Sequence, residues 1–424
     1  MSLTRRTIVA TLATAALAAT TVVAVNAMAD TQPKAVNAQY GAAKVEAQDP
    51  NREFRAMPAL QQVSWKNSSG THKRLIRSVS IRPDGVPPVA ERMQYQDGSG
   101  KWQDAKDART GKPLMESSDA QYAMASNVFT DSAGQTVALE TQAHKDSKGR
   151  YILRWITKDG GVSWTPSRTP LDFNGGSILD SASGQAFQKI VTLPDGSRLL
   201  PFYVAHPVGG GKYKFSAHLL VGDADATKLK RAATVFSSNT IDYSESSVAR
   251  RSDGKLLMIT RYETERGGFH YSKLLSRVTT SAVNSAADVA KAKWAAPTAV
   301  KVPGAADADV VSGVAPILSN MDSGVLMLVF GRPRNKIAFS TDGGTTWTTA
   351  HSFYDNMPTN CKSGYGGNPC SALGSSGYMG VAVTSPTTAV IMGDNCQAGW
   401  GCKANYKYPH GTTDLLWTAT VTLK

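Results

Sequence analysis

An all-β fold arranged as a six-bladed β-propeller is what this sequence predicts, on three observations. The phrase Thr157-Lys158-Asp159-Gly160-Gly161-Val162-Ser163-Trp164 returns as Ser340-Thr341-Asp342-Gly343-Gly344-Thr345-Thr346-Trp347. Short alternating or β-branched runs bounded by Gly, Asp, Asn and Ser fill the chain after residue 50, and only 285–296 has helical composition. Apolar strands flank turns at Asp131-Ser132-Ala133-Gly134, Asp195-Gly196, Asp253-Gly254 and Asp322-Ser323-Gly324, with a weaker turn at Ser385-Pro386. These turns recur about every 60 residues, and a hairpin repeat of that period stacks radially, so about 370 residues divide into six four-stranded blades.

Each part of the repeated phrase has a physical task. Asp accepts hydrogen bonds from the amides of its own turn, Gly supplies the positive φ, and Trp folds back as an apolar plug. Asp97-Gly98-Ser99-Gly100-Lys101-Trp102 keeps the Asp-to-Trp spacing with Gly displaced by one, as a degenerate copy in an N-terminal blade. The expected strands are 74–81, 136–139, 151–156, 189–193, 199–204, 256–261, 325–330, 380–384, 389–392 and 415–423. No linker separates them, so 51–424 reads as one domain.

The N-terminus reads as an export signal over 1–29. Arg5-Arg6 precede an Ala/Thr-rich apolar run that ends at the cleavage phrase Ala27-Met28-Ala29, and no other stretch is long enough to span a bilayer. Residues 30–50, rich in Ala, Gln and Lys, read as a disordered leader. The formal charge of +13 is spread without a basic run or an RNA-type aromatic motif. That pattern argues against nucleic acid and suits acidic glycans. Cys361, Cys370, Cys396 and Cys402 form an even set in an exported chain, which reads as two disulfides. Local pairing, Cys361 with Cys370 and Cys396 with Cys402, is favoured over the other two arrangements. Their spacing misses the usual zinc pattern, and no metal or cofactor is expected.

The repeated phrase resembles the Asp-box of sialidases and related β-propellers, where it caps a blade away from the active site. That resemblance covers 121–394 and extends to a site. Glu245, ahead of Asp253-Gly254, and Arg261, at the end of the following strand, resemble an active-site Glu and Arg of the sialidase family. An up strand, a turn and a down strand return both to one rim. Phe330-Gly331-Arg332-Pro333-Arg334 precedes the second box where sialidases carry a substrate-binding Arg, so Arg332, or Arg334 beyond the proline, is the matching position. Ser376-Gly377-Tyr378-Met379-Gly380 resembles the strand start that bears the family's Tyr nucleophile.

Two members of the family set are displaced. The strand expected to open with Arg-x-Pro reads Gln121-Tyr122-Ala123-Met124-Ala125, and Arg55 in Phe54-Arg55-Ala56-Met57-Pro58 is the substitute. Asp146 fits the general acid by position, Glu140 by proximity to its strand end, and Asp119 is a third choice; His144 and His206 offer a His-centred alternative.

The residue types suit a keto-sugar acid. Guanidinium groups grip its carboxylate bidentately, and that carboxylate repels a carboxylate nucleophile, which favours Tyr. Tyr, with a pKa near 10, needs a base such as Glu245. The expectation is a secreted, monomeric, retaining exo-glycosidase of sialidase type. The alternatives are a sibling acting on an arabinan or uronic-acid polymer, by hydrolysis or elimination, and a propeller that only binds glycans.

Overall fold

Period-two patterning and the Gly-bearing turns produce an almost purely β molecule. The computed structural model describes residues 36–46, 56–81, 89–118, 124–173, 183–209, 212–263, 273–307, 310–311, 313–321, 324–331, 335–357, 375–395 and 415–424. The four cysteines, Arg55, Arg332, Arg334, Asp119 and residues 1–35 lie outside the described residues.

Five sheets and a short ribbon hold the strands. Sheet A runs Ala56–Asn67, Gly70–Ser80, Val89–Gln96 and Trp102–Asp104, with Met115–Ser118 also paired to Val89–Gln96. Sheet B contains two antiparallel groups. The first runs Asn127–Thr130, Thr136–Leu139, Gly149–Thr157 and Ser163–Asp172; the second runs Ser183–Ala186, Arg198–Gly209, Lys212–Gly222 and Leu229–Phe236. Parallel pairing of Leu171 with Leu229 and Asp172 with Lys230 fuses them. Sheet C holds Asp242–Arg250, Leu256–Glu263, Lys273–Val278 and Thr298–Ala299, and sheet D holds Val314–Asn320, Leu326–Gly331, Lys336–Ser340 and His351–Ser352. Sheet E holds Met379–Ser385, Thr388–Asn395 and Leu415–Leu423.

The expectation of a disordered leader over 30–50 is corrected within the described residues. Ala38–Tyr40 pairs antiparallel with Leu423, Thr422 and Val421, and Lys44–Val45 pairs with Thr418 and Trp417. The outer strand of sheet E offers a free ladder there, and Ala43 is buried in the core beneath it. Pairing with a distant strand outweighed a local composition poor in β-formers. The sole described α-helix, Ala286–Lys291, is shorter than the helical composition suggested and is held by a Ser285/Asp288 capping box.

Core clusters lie between faces of neighbouring sheets. Val63, Ile76, Ala138, Trp155 and Trp164 join A to B, and Leu219, Val235, Val248 and Met258 join B to C. Leu257, Ile259, Leu328 and Trp347 join C to D, Ile317, Val329, Ile391 and Trp417 join D to E, and Leu60 meets Ala382 and Met392 between A and E.

Both boxes perform the turn chemistry read from them. Asp159 Oδ1 accepts from the amides of Val162 and Ser163, each at 3.0 Å, and Asp342 Oδ1 accepts from those of Thr345 and Thr346 at 3.0 and 2.9 Å. The second Gly of each box also seals a junction. A Cβ on Gly161 (φ 91°) would stand 2.7 Å from Ile76 of sheet A, and one on Gly344 (φ 87°) 2.4 Å from Leu257 of sheet C. Trp164 is fully buried, its indole N–H donating to Gly161 O at 3.0 Å. Asp97 collects the amides of Ser99 and Lys101 in the same manner, while Trp102 carries the Arg77 guanidinium over its ring at 4.2 Å. Trp164→Ala is expected to lose about 3–5 kcal/mol of stability, read from the denaturant midpoint; a loss below about 1 kcal/mol would show that the plug is dispensable.

Candidate active site

Three irregularities at the starts of inner strands shape the site. Register shifts fall between Ala56 and Ala59 in sheet A, Tyr243 and Ser246 in sheet C, and Val314 and Ile317 in sheet D. A bulge places two residues opposite one and re-aims a side chain. In sheet C it places Ser244 and Glu245 across from Arg261, and Ser246 Oγ bridges it by bonding Ser244 O at 2.7 Å and Thr260 Oγ1 at 2.8 Å. In the other two, Met57 (φ 52°) and Ala315 (φ 48°) enter the left-handed region, which L-residues seldom occupy. Each strained amide meets a carboxylate: Met57 N donates to Asp394 Oδ2 at 2.7 Å and Ala315 N to Glu245 Oε2 at 2.8 Å.

Glu245 is thus surrounded by donors. Arg261 Nη1 reaches its Oε1 at 2.9 Å, the Tyr378 hydroxyl donates to the same oxygen, and Ala315 N holds the other oxygen. Glu245 is only 4% exposed. Arg261 Nη2 is paired to Glu263. Burial opposes the charge on Arg261, but the adjacent Glu245 and Glu263 outweigh it and hold the guanidinium above its ordinary pKa. A carboxylate so held is placed within reach of the phenolic proton.

Tyr378 also lines a cavity. It encloses about 80 Å³ and opens into a cleft of about 690 Å³ in all. Polar walls come from Ser80, Glu91, Ser126, Thr141, Gln185 and Gln188, and aromatic ones from Phe187, Tyr203 and Tyr378. Phe187 stands edge-on to Tyr378 with ring centres 5.9 Å apart. Aromatic faces with a few convergent polar groups are a common lining of a small-molecule site.

Of the residues expected at the site, Tyr378, Glu245 and Arg261 come together. Asp146 does not join them. It lies on the hairpin of His144–Asp146 with Gly149–Thr157, exposed, its two oxygens bound to Arg168 at 2.6 and 2.8 Å. Glu140 is fully buried, bonded to His144 Nε2 at 2.7 Å and to the Trp155 indole at 2.8 Å, which makes it a packing group of sheet B. His206 lies across from Lys214 on the strand Arg198–Gly209. Glu91, Asp394 and Lys189 escaped the sequence reading, because each acquires its surroundings from segments remote in the chain. Among the described residues no cluster of His, Cys, Asp or Glu could hold a metal, and no helix is long and apolar enough to cross a membrane.

The pattern of the BNR repeat-like domain matches residues 83–414, most of the chain. The chain belongs to the BNR repeat-like domain family. No curated protein matches it in sequence. Among solved structures, this BNR chain is similar to a protein of unknown function from Dyadobacter fermentans, at 12% identity over 91% of this chain and 99% of that one, with a TM-score of 0.57. It is also similar to a Penicillium chrysogenum α-L-arabinanase complexed with arabinobiose, at 12% identity over 90% and 98% of the chains and a TM-score of 0.53. A Hadza microbial sialidase shares 15% identity over 86% of this chain and 65% of its own length, with a TM-score of 0.53.

Lys189 follows the cavity residue Gln188 and donates from Nζ to Ser319 Oγ at 3.1 Å. Burial pushes its pKa down to about 7. Between about pH 7 and the unfolded Lys value near 10.4 the unfolded chain binds the extra proton, so this residue adds stability as pH rises. Lys189→Met is therefore expected to raise the melting temperature most at pH 6, with the gap narrowing by pH 9; a gap independent of pH would contradict the assignment.

Proposed function

We propose that this BNR protein is an exported, retaining exo-glycosidase on a six-bladed closed ring, the two groups of sheet B counting as two blades. Its substrate is a glycan ending in sialic acid or a related keto-sugar acid. The observation that carries the reading is the Tyr378 hydroxyl donating to a buried Glu245 that Arg261 and the Ala315 amide also hold. A phenol bonded to an ionised, immobilised carboxylate is an activated nucleophile. It also avoids the repulsion that a substrate carboxylate would impose on an Asp or Glu nucleophile.

In the proposed reaction Glu245 takes the phenolic proton, and the Tyr378 oxygen bonds to the anomeric carbon. The bond to the leaving oxygen breaks with its electron pair, and a carboxylic acid supplies the proton that oxygen needs. Glu91 takes this role in place of Asp146, supported by its position on the cavity wall with Tyr378 and its 9% exposure. Water, deprotonated by Glu91, then attacks the anomeric carbon; the bond to Tyr378 breaks with its electron pair and the phenolate recovers its proton from Glu245, giving net retention. Arg55, Arg332 and Arg334 remain the proposed grips for the substrate carboxylate.

A second reading is favoured by one observation. Among the described residues, the cavity lining carries neutral hydroxyls and amides with the single carboxylate Glu91, and both terminal nitrogens of Arg261 contact carboxylates. A neutral pentose at the end of an arabinan suits such walls. The arabinanase and sialidase likenesses support both readings alike, since each carries the fold alone.

Tyr378→Phe is expected to lower hydrolysis of an aryl sialoside by at least about 10²-fold while sugar-acid binding persists. Release of arabinose, with no action on sialosides, would replace the first reading by the second. Glu91→Gln is expected to slow a natural glycoside by about 10²- to 10⁴-fold and an activated aryl glycoside far less, because a good leaving group needs no proton. Equal losses on both would remove Glu91 from the acid role.

A further inference from the structure

Asp394, on Thr388–Asn395, is a fully buried carboxylate that the reaction above does not use. Desolvation pushes its pKa up, against the pull of hydrogen bonds from Ser376, Met57 and Ser375. Those bonds converge from two sheets. Oδ1 accepts from the Ser376 amide at 2.8 Å and lies 2.9 Å from Ser375 Oγ; Oδ2 accepts from the Met57 amide at 2.7 Å and from the Ser376 hydroxyl. The bonds continue inward: Tyr378 N donates to Ser376 Oγ at 3.1 Å and Gly377 N to Ser375 Oγ at 3.0 Å. Ser375 Oγ also lies 3.1 Å from Asn335 Oδ1, on the segment that follows Arg332 and Arg334.

One side chain therefore ties together the turn that delivers Tyr378 and the strained bulge of sheet A. Met57, Pro58, Ala59 and Tyr378 all line the same cavity, so the two tied segments both belong to its wall. Gly377 is itself left-handed (φ 82°), and a Cβ on the facing Gly331 would come within 2.0 Å of Gly377 O, so the turn is packed tightly against sheet D there. Asp394 closes the link from this turn to the Met57 bulge. The reach of the phenol to Glu245 depends on that closure, because Ser376 is bonded to Asp394 through amide and hydroxyl and is two residues from Tyr378.

We propose that Asp394 is a positioning residue that sets the Tyr378 hydroxyl against Glu245 by clamping the 375–378 turn to the Met57 bulge. This rests on Tyr378 being the nucleophile. Loss of the clamp misplaces the attacking oxygen, while the polar cavity residues Glu91, Gln185 and Gln188 lie on other segments. Asparagine is nearly isosteric, but its NH₂ must take the place of one oxygen and so faces either the Met57 amide or the Ser376 amide, which breaks one arm of the clamp without opening a cavity.

The test compares wild type, Asp394→Asn, Ser376→Ala and the double variant by active-site titration and steady-state kinetics on an aryl glycoside that wild type hydrolyses. Asp394→Asn is expected to lower kcat per active site by about 10²-fold with KM changed less than about threefold, the size of effect a misplacement near 1 Å produces. Ser376→Ala is expected to lose less, and the double variant no more than Asp394→Asn, because both act through one linkage. A fall in titratable sites with unchanged kcat per site would show a folding role only and overturn the proposal. So would additive losses, or a loss confined to KM. Should Asp394→Asn fail to fold, Ser376→Ala decides: it keeps the buried carboxylate and removes the hydroxyl that joins Asp394 to the Tyr378 amide, so an unchanged kcat per site would overturn the proposal. Hydrolysis unaffected by Tyr378→Phe would instead overturn the underlying reading, so the two failures are distinguishable.

Discussion

The buried carboxylate of Glu245 is the constraint around which the rest is organised. An ionised group in so dry a place is tolerable only if every lone pair is answered. Here the answers come from three sheets: a guanidinium from its own, a strained amide from sheet D and a phenol from sheet E. The same demand that stabilises the carboxylate draws a nucleophile, its base and a cation to one point. Removing any one donor leaves a buried charge short of a partner, so stability and chemistry are coupled at this residue.

The strained backbone at Ala315 and Met57 fits that logic. A non-glycine residue with positive φ costs of order 1–3 kcal/mol and persists where its surroundings overdetermine it. In both places the determinant is a carboxylate on an adjacent sheet, Glu245 for Ala315 and Asp394 for Met57. The boxes do comparable work away from the carboxylates, pressing Gly161 and Gly344 onto Ile76 and Leu257. Apolar plugs thus act at the A/B and C/D junctions and polar clamps at C/D and A/E.

What was legible in the sequence is what depends on local order. The boxes show themselves because Asp, Gly and Trp act within one turn, and the Glu245/Arg261 pair because a hairpin returns the chain after 16 residues. Tyr378 was visible by family likeness, and the structure sets its hydroxyl against Glu245. Asp146 misled, since position after a strand cannot reveal that Arg168 on the neighbouring strand will hold it at the surface. The pairing of Ala38–Tyr40 with Leu415–Leu423 joins the two ends of the chain, which no local pattern encodes. Glu91, Lys189 and Asp394 were hidden for the same reason: their partners or cavity neighbours lie from tens to hundreds of residues away.

The most direct measurement is mass spectrometry of the protein after exposure to a ring-fluorinated, activated glycosyl fluoride of a keto-sugar acid, which traps a covalent intermediate when a nucleophile attacks. A single glycosyl adduct on the peptide bearing Tyr378, abolished by Tyr378→Phe, is the expected result. An adduct on Glu245 or another carboxylate, or turnover with inversion and no adduct, would contradict the phenol–carboxylate pairing as the source of the chemistry.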